Sequence, residues 1–187
     1  VPTSASLDDL PSFTWSAWVK PTQLQDRTLL SKSSVIRFFI ENISSGLRTQ
    51  FGMTCDGGAN LSLFSTSVDN LSLNTWHHLT VTWDGLGCLL SNVHIYLDGI
   101  PNHAHVNSDN GAGSKWSDAG DPFRIGNSPP FTTSLQGSMD EVRVYNYVRT
   151  QKQIREDMNG GHPAGGSPVG SQLVYWKMDE GQGTTAN

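Results

Sequence analysis

Apolar and polar residues alternate with a period of two along much of this chain, which is the spacing of half-buried β-strands. In Phe13-Thr14-Trp15-Ser16-Ala17-Trp18-Val19 the odd positions form one apolar face. Trp18 interrupts the polar face, so the second side is expected to be partly covered as well. Shorter strands are expected at Val35 to Ile40, Leu47 to Met53 and Leu61 to Phe64. His77 to Trp83 places Leu79, Val81 and Trp83 on one face and ends at Asp84-Gly85, a strong turn dipeptide. Val93 to Leu97 alternates likewise and ends at Asp98-Gly99. Phe123 to Gly126 is short, and Met139 to Tyr147 sets Val142 and Val144 against Arg143, Tyr145 and Tyr147. Short strands separated by Gly, Asn and Asp turns predict an all-β fold, an antiparallel sandwich of two sheets.

One short helix is expected near 150–158. Thr150 suits its N-cap, Gln153 completes a capping box, and Ile154 and Met158 share a face. Asn159-Gly160-Gly161 stops it. Residues 159–172 then read as a Gly/Pro linker, and Leu173 to Met178 as one more strand. Pro101 to Pro122 reads as a long polar loop with Trp116 as its only large apolar group, the type of loop that carries binding residues on a rigid scaffold.

Composition narrows the function classes. Only 16% of residues are charged, Gly supplies 19, and six Trp occur among 36% hydrophobic residues. That balance disfavours a helical bundle, a parallel α/β enzyme and a disordered chain. The net charge of −5 and the lack of a basic patch argue against nucleic acid as a partner. No apolar run approaches the roughly 18 residues of a membrane helix, so no membrane span is expected. No signal peptide is read, and Val1 in place of Met reads as a mature or excised piece. Cys55 and Cys88 lack metal-site spacing and are left as either a disulfide or two buried thiols.

Five segments, in order, resemble the laminin-G-like, concanavalin A-like lectin/glucanase superfamily in its pentraxin-related bacterial branch. They are Phe13 to Pro21, Trp76 to Gly85, Val93 to Gly99, Phe123 to Gly126 and Gly137 to Asn146, the last carrying Asp140-Glu141-Val142-Arg143. The resemblance implies a jelly-roll sandwich over residues 1–158, commonly with bound calcium. Leu173 to Ala186 resembles the family's opening strand and its Asp-Glu-Gly-x-Gly loop. Residues 173–187 therefore complete this domain or a neighbouring one, or begin a next repeat. Calcium-binding relatives form their site between these two segments. Carried over, Asp140 and Asp179 would give carboxylates, while Gly183 and Asn187 would give further oxygens. Read plainly instead, these acids are strand-end and turn residues, with Glu141 paired to Arg143 or Arg155.

For a sugar, the long loop offers Trp116 beside Asn110, Asp118 and Asp121, since sugar rings present both C–H faces and hydroxyls. His103 and His105 on the same loop are a weaker candidate for ligand or metal. Trp76 looks buried, and His77-His78 look structural. Asn42, Asn60 and Asn70 begin glycosylation acceptor triplets, which matter only in a eukaryotic secretory host. The carboxylate spacing of the superfamily's glucanases is missing, and Asp140 and Glu141 are expected to point to opposite faces of a strand. No nucleophile elbow or Cys/His constellation is read. The expected function is thus a non-catalytic extracellular module, secreted or at the cell surface, recognising a glycan or an extracellular protein with calcium support. The alternatives are an adhesive repeat that self-associates or runs in tandem through its terminal strand, and a domain of a glycoside-active enzyme.

Overall fold

The computed structural model describes residues 4–32, 35–43, 46–56, 60–64, 71–102, 113–130, 132–159 and 172–178. Eleven strands and one helix follow in chain order: β1 (Phe13–Pro21), β2 (Arg27–Lys32), β3 (Ile36–Ile43), β4 (Gly46–Thr54), β5 (Asn60–Phe64), β6 (His77–Trp83), β7 (Val93–Leu97), β8 (Ile100–Pro101), β9 (Phe123–Ile125), β10 (Gly137–Tyr145), α1 (Gln151–Met158) and β11 (Gln172–Trp176). They form two antiparallel sheets, ordered β11-β10-β1-β6-β7-β8 and β5-β4-β3-β2-β9. This is the jelly-roll sandwich.

The period-two pattern explains the core. Phe13, Trp15, Ala17 and Val19 of β1 meet Phe38, Ile40, Phe51 and Met53 of the second sheet, all buried. Phe13 and Trp15 stack at 4.9 Å, and Trp15 meets Phe123 edge-on at 5.0 Å. Burying a side chain of this kind contributes about 1.5–3 kcal/mol. Each inward residue therefore matters more to the fold than any one surface contact. Gly85 shows why its turn needs glycine: φ is +83°, and a Cβ there would lie 1.8 Å from the Pro11 carbonyl oxygen.

The outward side of the first sheet is also covered, in part, as Trp18 foretold. Thr14, Ser16, His78, Thr80 and Thr82 stand on it and are buried. Helix α1 is the cover. Its capping box forms as expected, with the Thr150 hydroxyl accepting from the Gln153 N–H. Arg143 Nη1 donates to the Asp157 carbonyl at 2.7 Å, and Arg149 lies over the Tyr145 ring at 4.3 Å. Burial raises the Asp157 carboxyl pKa, against the opposing pull of Arg149.

Cys55 and Cys88 are joined in a disulfide. The long loop is more structured than its composition suggested. β8 opens it, and Lys115 makes a β-bridge with Cys55. β11 pairs with the outer edge of β10 in this same chain, and Trp176 stacks on Phe123 at 5.8 Å. The expected linker at 159–172 lies almost wholly outside the described residues, as do residues 179–187 of the tail.

Candidate functional site

Two shallow concavities lie at opposite ends of the β1–β6 ladder. The first, of about 370 Å³, is lined by Trp18, Trp76, Asp140 and Glu141. Register builds it: Trp18 of β1 stands opposite Asp140 of β10 on one side and His78 of β6 on the other. The Trp18 and His78 rings meet edge-on at 5.4 Å. Trp76 directly precedes β6 and is 40% exposed, so the expectation that it is buried is wrong. It lies one residue before the strand begins at His77.

Asp140 and Glu141 do not follow the alternation expected of them. Between Ser16↔Arg143 and Trp18↔Asp140, β1 advances two residues while β10 advances three. The extra residue is a β-bulge, and Glu141 takes it up at φ +51°, which few non-glycine residues adopt. Both carboxylates consequently line the same concavity. Asp140 Oδ1 accepts from the Glu141 N–H at 2.8 Å. Glu141 Oε2 accepts from Arg143 Nη2 and from the Tyr175 hydroxyl. Of the two partners weighed for Glu141, Arg143 is the one it meets. Burial, and then the bond to Glu141, keep the Tyr175 phenol protonated.

His77 and His78 brace the floor. His77 Nδ1 lies 3.0 Å from Asp98 Oδ2, and its Nε2 accepts from the Ser72 N–H at 3.2 Å. Asp98 Oδ1 accepts from the His78 N–H at 2.8 Å. The His78 ring is fully buried, and its Nε2 has no hydrogen-bond partner among the described residues. Burial, reinforced by Arg143, lowers its pKa to about 4, so the ring is neutral at pH 7.

The second concavity, about 380 Å³, is lined by Asp9, Pro11, Trp83, Gly85, Ser114, Lys115 and Ser117. Here the expected ligand residue Asp118 is committed elsewhere. It is buried, accepting from Lys32 Nζ and Lys115 Nζ at 3.0 Å each and from the Asp9 N–H at 2.8 Å. Its carboxylate holds the long loop to the N-terminal turn. Asp9 closes the lock, accepting from the Asp118 N–H and the Ser117 hydroxyl, contacts that lower its pKa to about 2. Trp116 is 55% exposed and does not line the concavity. Asp121 is half-buried and hydrogen-bonds through its own N–H to the Asp118 carbonyl. His103, His105 and Asn110 lie outside the described residues.

Of the residues expected to hold calcium, Asp140 alone is described; Asp179, Gly183 and Asn187 are not. Asp140 suits the role of one oxygen ligand. β11 runs antiparallel to β10, so the chain after Trp176 heads towards the Asp140 end. Among the described residues, no three His, Cys, Asp or Glu side chains gather as a metal cluster. No helix among them is long and apolar enough to cross a membrane.

Comparison with known proteins gives the family. A profile described as the concanavalin A-like lectin/glucanases superfamily matches residues 1–155. No curated protein matches the chain significantly. Among solved structures, a presumed carbohydrate-binding protein from Bacteroides ovatus is similar, with 22% identity and a TM-score of 0.65 over 99% of this chain and 50% of that one. The present chain thus spans half that protein's length. Domain 4 of an extracellular GH43 arabinanase from Geobacillus stearothermophilus, solved with arabinotriose, shows 18% identity and a TM-score of 0.60 over 84% of this chain and 70% of that one. A heptameric pentraxin from Limulus polyphemus shows 17% identity and a TM-score of 0.54, covering 82% and 77% respectively. At these identities the structural likeness is one of fold, and the profile match carries the assignment: this chain belongs to the concanavalin A-like lectin/glucanase superfamily.

Proposed function

We propose that the chain is a non-catalytic, extracellular recognition module that binds a glycan in the concavity of Trp18, Trp76, Asp140 and Glu141. One observation carries this reading: a single concavity joins two indoles, one of them 40% exposed, with two carboxylates. Indole faces match the C–H faces of a sugar ring, and carboxylates accept from its hydroxyls. The solved relatives named for carbohydrate binding, or solved with a sugar, support the same reading by analogy of fold.

Calcium belongs to the proposal. Asp140 would hold it together with Asp179, Gly183 and Asn187. Calcium takes six to eight oxygens, so it would supply coordination to sugar hydroxyls beside the protein's own carboxylates. Adjacent carboxylates in one concavity do not by themselves make a hydrolase. Glu141 Oε2 already accepts from Arg143 and Tyr175, which hold it in place as a hydrogen-bond acceptor.

A glycan array probed in millimolar calcium and again in chelator tests the reading. Retention of a defined set of glycans is expected, weakened by the chelator. Absence of binding across a broad array would refute the glycan reading, and equal binding in chelator would refute the calcium part.

A further inference from the structure

The strand that supplies Tyr175 lies beyond residues 1–155, the portion matched by the family profile. Yet the Tyr175 side chain reaches Glu141, which lines the concavity. The Tyr175 hydroxyl donates to Glu141 Oε2, the oxygen that also accepts from Arg143. The Arg143 guanidinium lies over the Tyr175 ring, 4.5 Å from its centroid, and Arg143 faces Tyr175 in the β10–β11 register. The other end of Arg143 donates to the Asp157 carbonyl at the end of α1. β10 and β11 therefore converge on one carboxylate, and α1 holds the arginine that meets it.

That carboxylate needs holding. Glu141 sits on the bulge at φ +51°, off the regular strand, so the strand's own alternation does not aim it. Its neighbour Asp140 accepts from its backbone N–H. The contacts from Arg143 and Tyr175 are charge-assisted or to a charge, the stronger class of hydrogen bond. β11 is itself anchored independently, by its ladder and by Trp176 against Phe123.

We propose that β11 is part of the ligand site: Tyr175, with Arg143, positions Glu141 in the concavity, so ligand occupancy and β11 docking support each other. The inference rests on the glycan reading for the ligand's class, but the positioning itself does not depend on it. By linkage, whatever β11 docking adds to affinity, ligand adds to β11 docking.

Tyr175→Phe tests this because it removes one hydroxyl and leaves the ladder, the ring under Arg143 and the Trp176 anchor in place. Without ligand, the amide signals of Asp140 and Glu141 and the indole N–H signals of Trp18 and Trp76 are expected to shift in ¹H–¹⁵N spectra. The Val144 and Val174 amides in the ladder should stay put. With arabinotriose as probe, affinity is expected to fall roughly tenfold, the scale of one hydrogen bond to a charged group. Glu141→Gln is expected to lose a similar amount, and Tyr175→Phe added to it to lose little more. Unchanged signals at Glu141 and both indoles would overturn the proposal. So would equal arabinotriose affinity in Tyr175→Phe and the parent chain. A parent chain that fails to bind the probe counts against the glycan reading for that sugar, and the spectra still decide the positioning.

Discussion

At the Phe13 end of the β1–β6 ladder, two lysines and three aspartates close on one another. At the Trp18 end, about 17 Å away at five residues' rise, two carboxylates share a concavity with two indoles. Both ends are rich in acids and carry a tryptophan near the rim, so composition does not tell them apart. Partners do. Lys32 is 2% exposed and donates to Leu7, Asp8 and Asp118, while Lys115 spends its donors on Asp9, Trp116 and Asp118. That network is closed and joins the N-terminal turn, β2 and the long loop. At the other end the charges are held by β10 and β11 and line an open surface. Charges that satisfy each other hold a fold; charges fixed from behind remain able to meet a ligand.

The largest test breaks the closed end. Lys32→Ala leaves Asp8 and part of Asp118 without their buried cation. Removal of one partner of a buried pair costs about 3–5 kcal/mol. A fall in Tm of about 6–20 °C is expected in thermal unfolding. Glycan binding by the remaining folded protein should be unchanged. Little change in Tm would mean the network contributes nothing to stability.

Acid pH separates the ends by window. His78 has a folded pKa of about 4 against an ordinary 6.5, so the unfolded chain takes up its proton first as pH falls. Stability is full above about pH 6.5 and is lost progressively towards pH 4, by about 3 kcal/mol in all. Asp9 works lower down. Its folded pKa of about 2 lies below the ordinary 3.8, so its contribution is present above about pH 3.8 and lost as pH falls towards 2. Denaturant melts at pH 7, 5, 4 and 3 check both windows. In His78→Gln the upper loss should vanish while the lower one stays; an upper loss that persists would place its origin elsewhere.

The sequence made the sandwich legible because each strand shows only one face to the core. Alternation in β1, β6, β7 and β10, the Asp-Gly turns and the Thr150–Gln153 box all match their elements. The site was less legible, for local reasons. A bulge is a register mismatch between two strands, and neither strand's own pattern shows that Ser16 to Trp18 spans one residue fewer than Arg143 to Asp140. Asp118 read as a loop acid because Lys32, its partner, lies 86 positions away. Trp76 read as buried because it abuts a strand, whereas it precedes that strand's first paired residue. One signal was present for the site: Trp18, an indole on an otherwise polar strand face, opens the concavity.

The smallest change in stability is expected from an indole at each end, and that pair decides where the ligand sits. Trp76→Ala and Trp116→Ala each remove a partly exposed indole, one from each end, and each should lower Tm less than Lys32→Ala does. Both variants and the parent chain are to be compared on one glycan array in millimolar calcium. The expectation is that Trp76→Ala loses the parent's glycan binding while Trp116→Ala keeps it. Retained binding in Trp76→Ala with loss in Trp116→Ala would place the ligand at the long loop and contradict it.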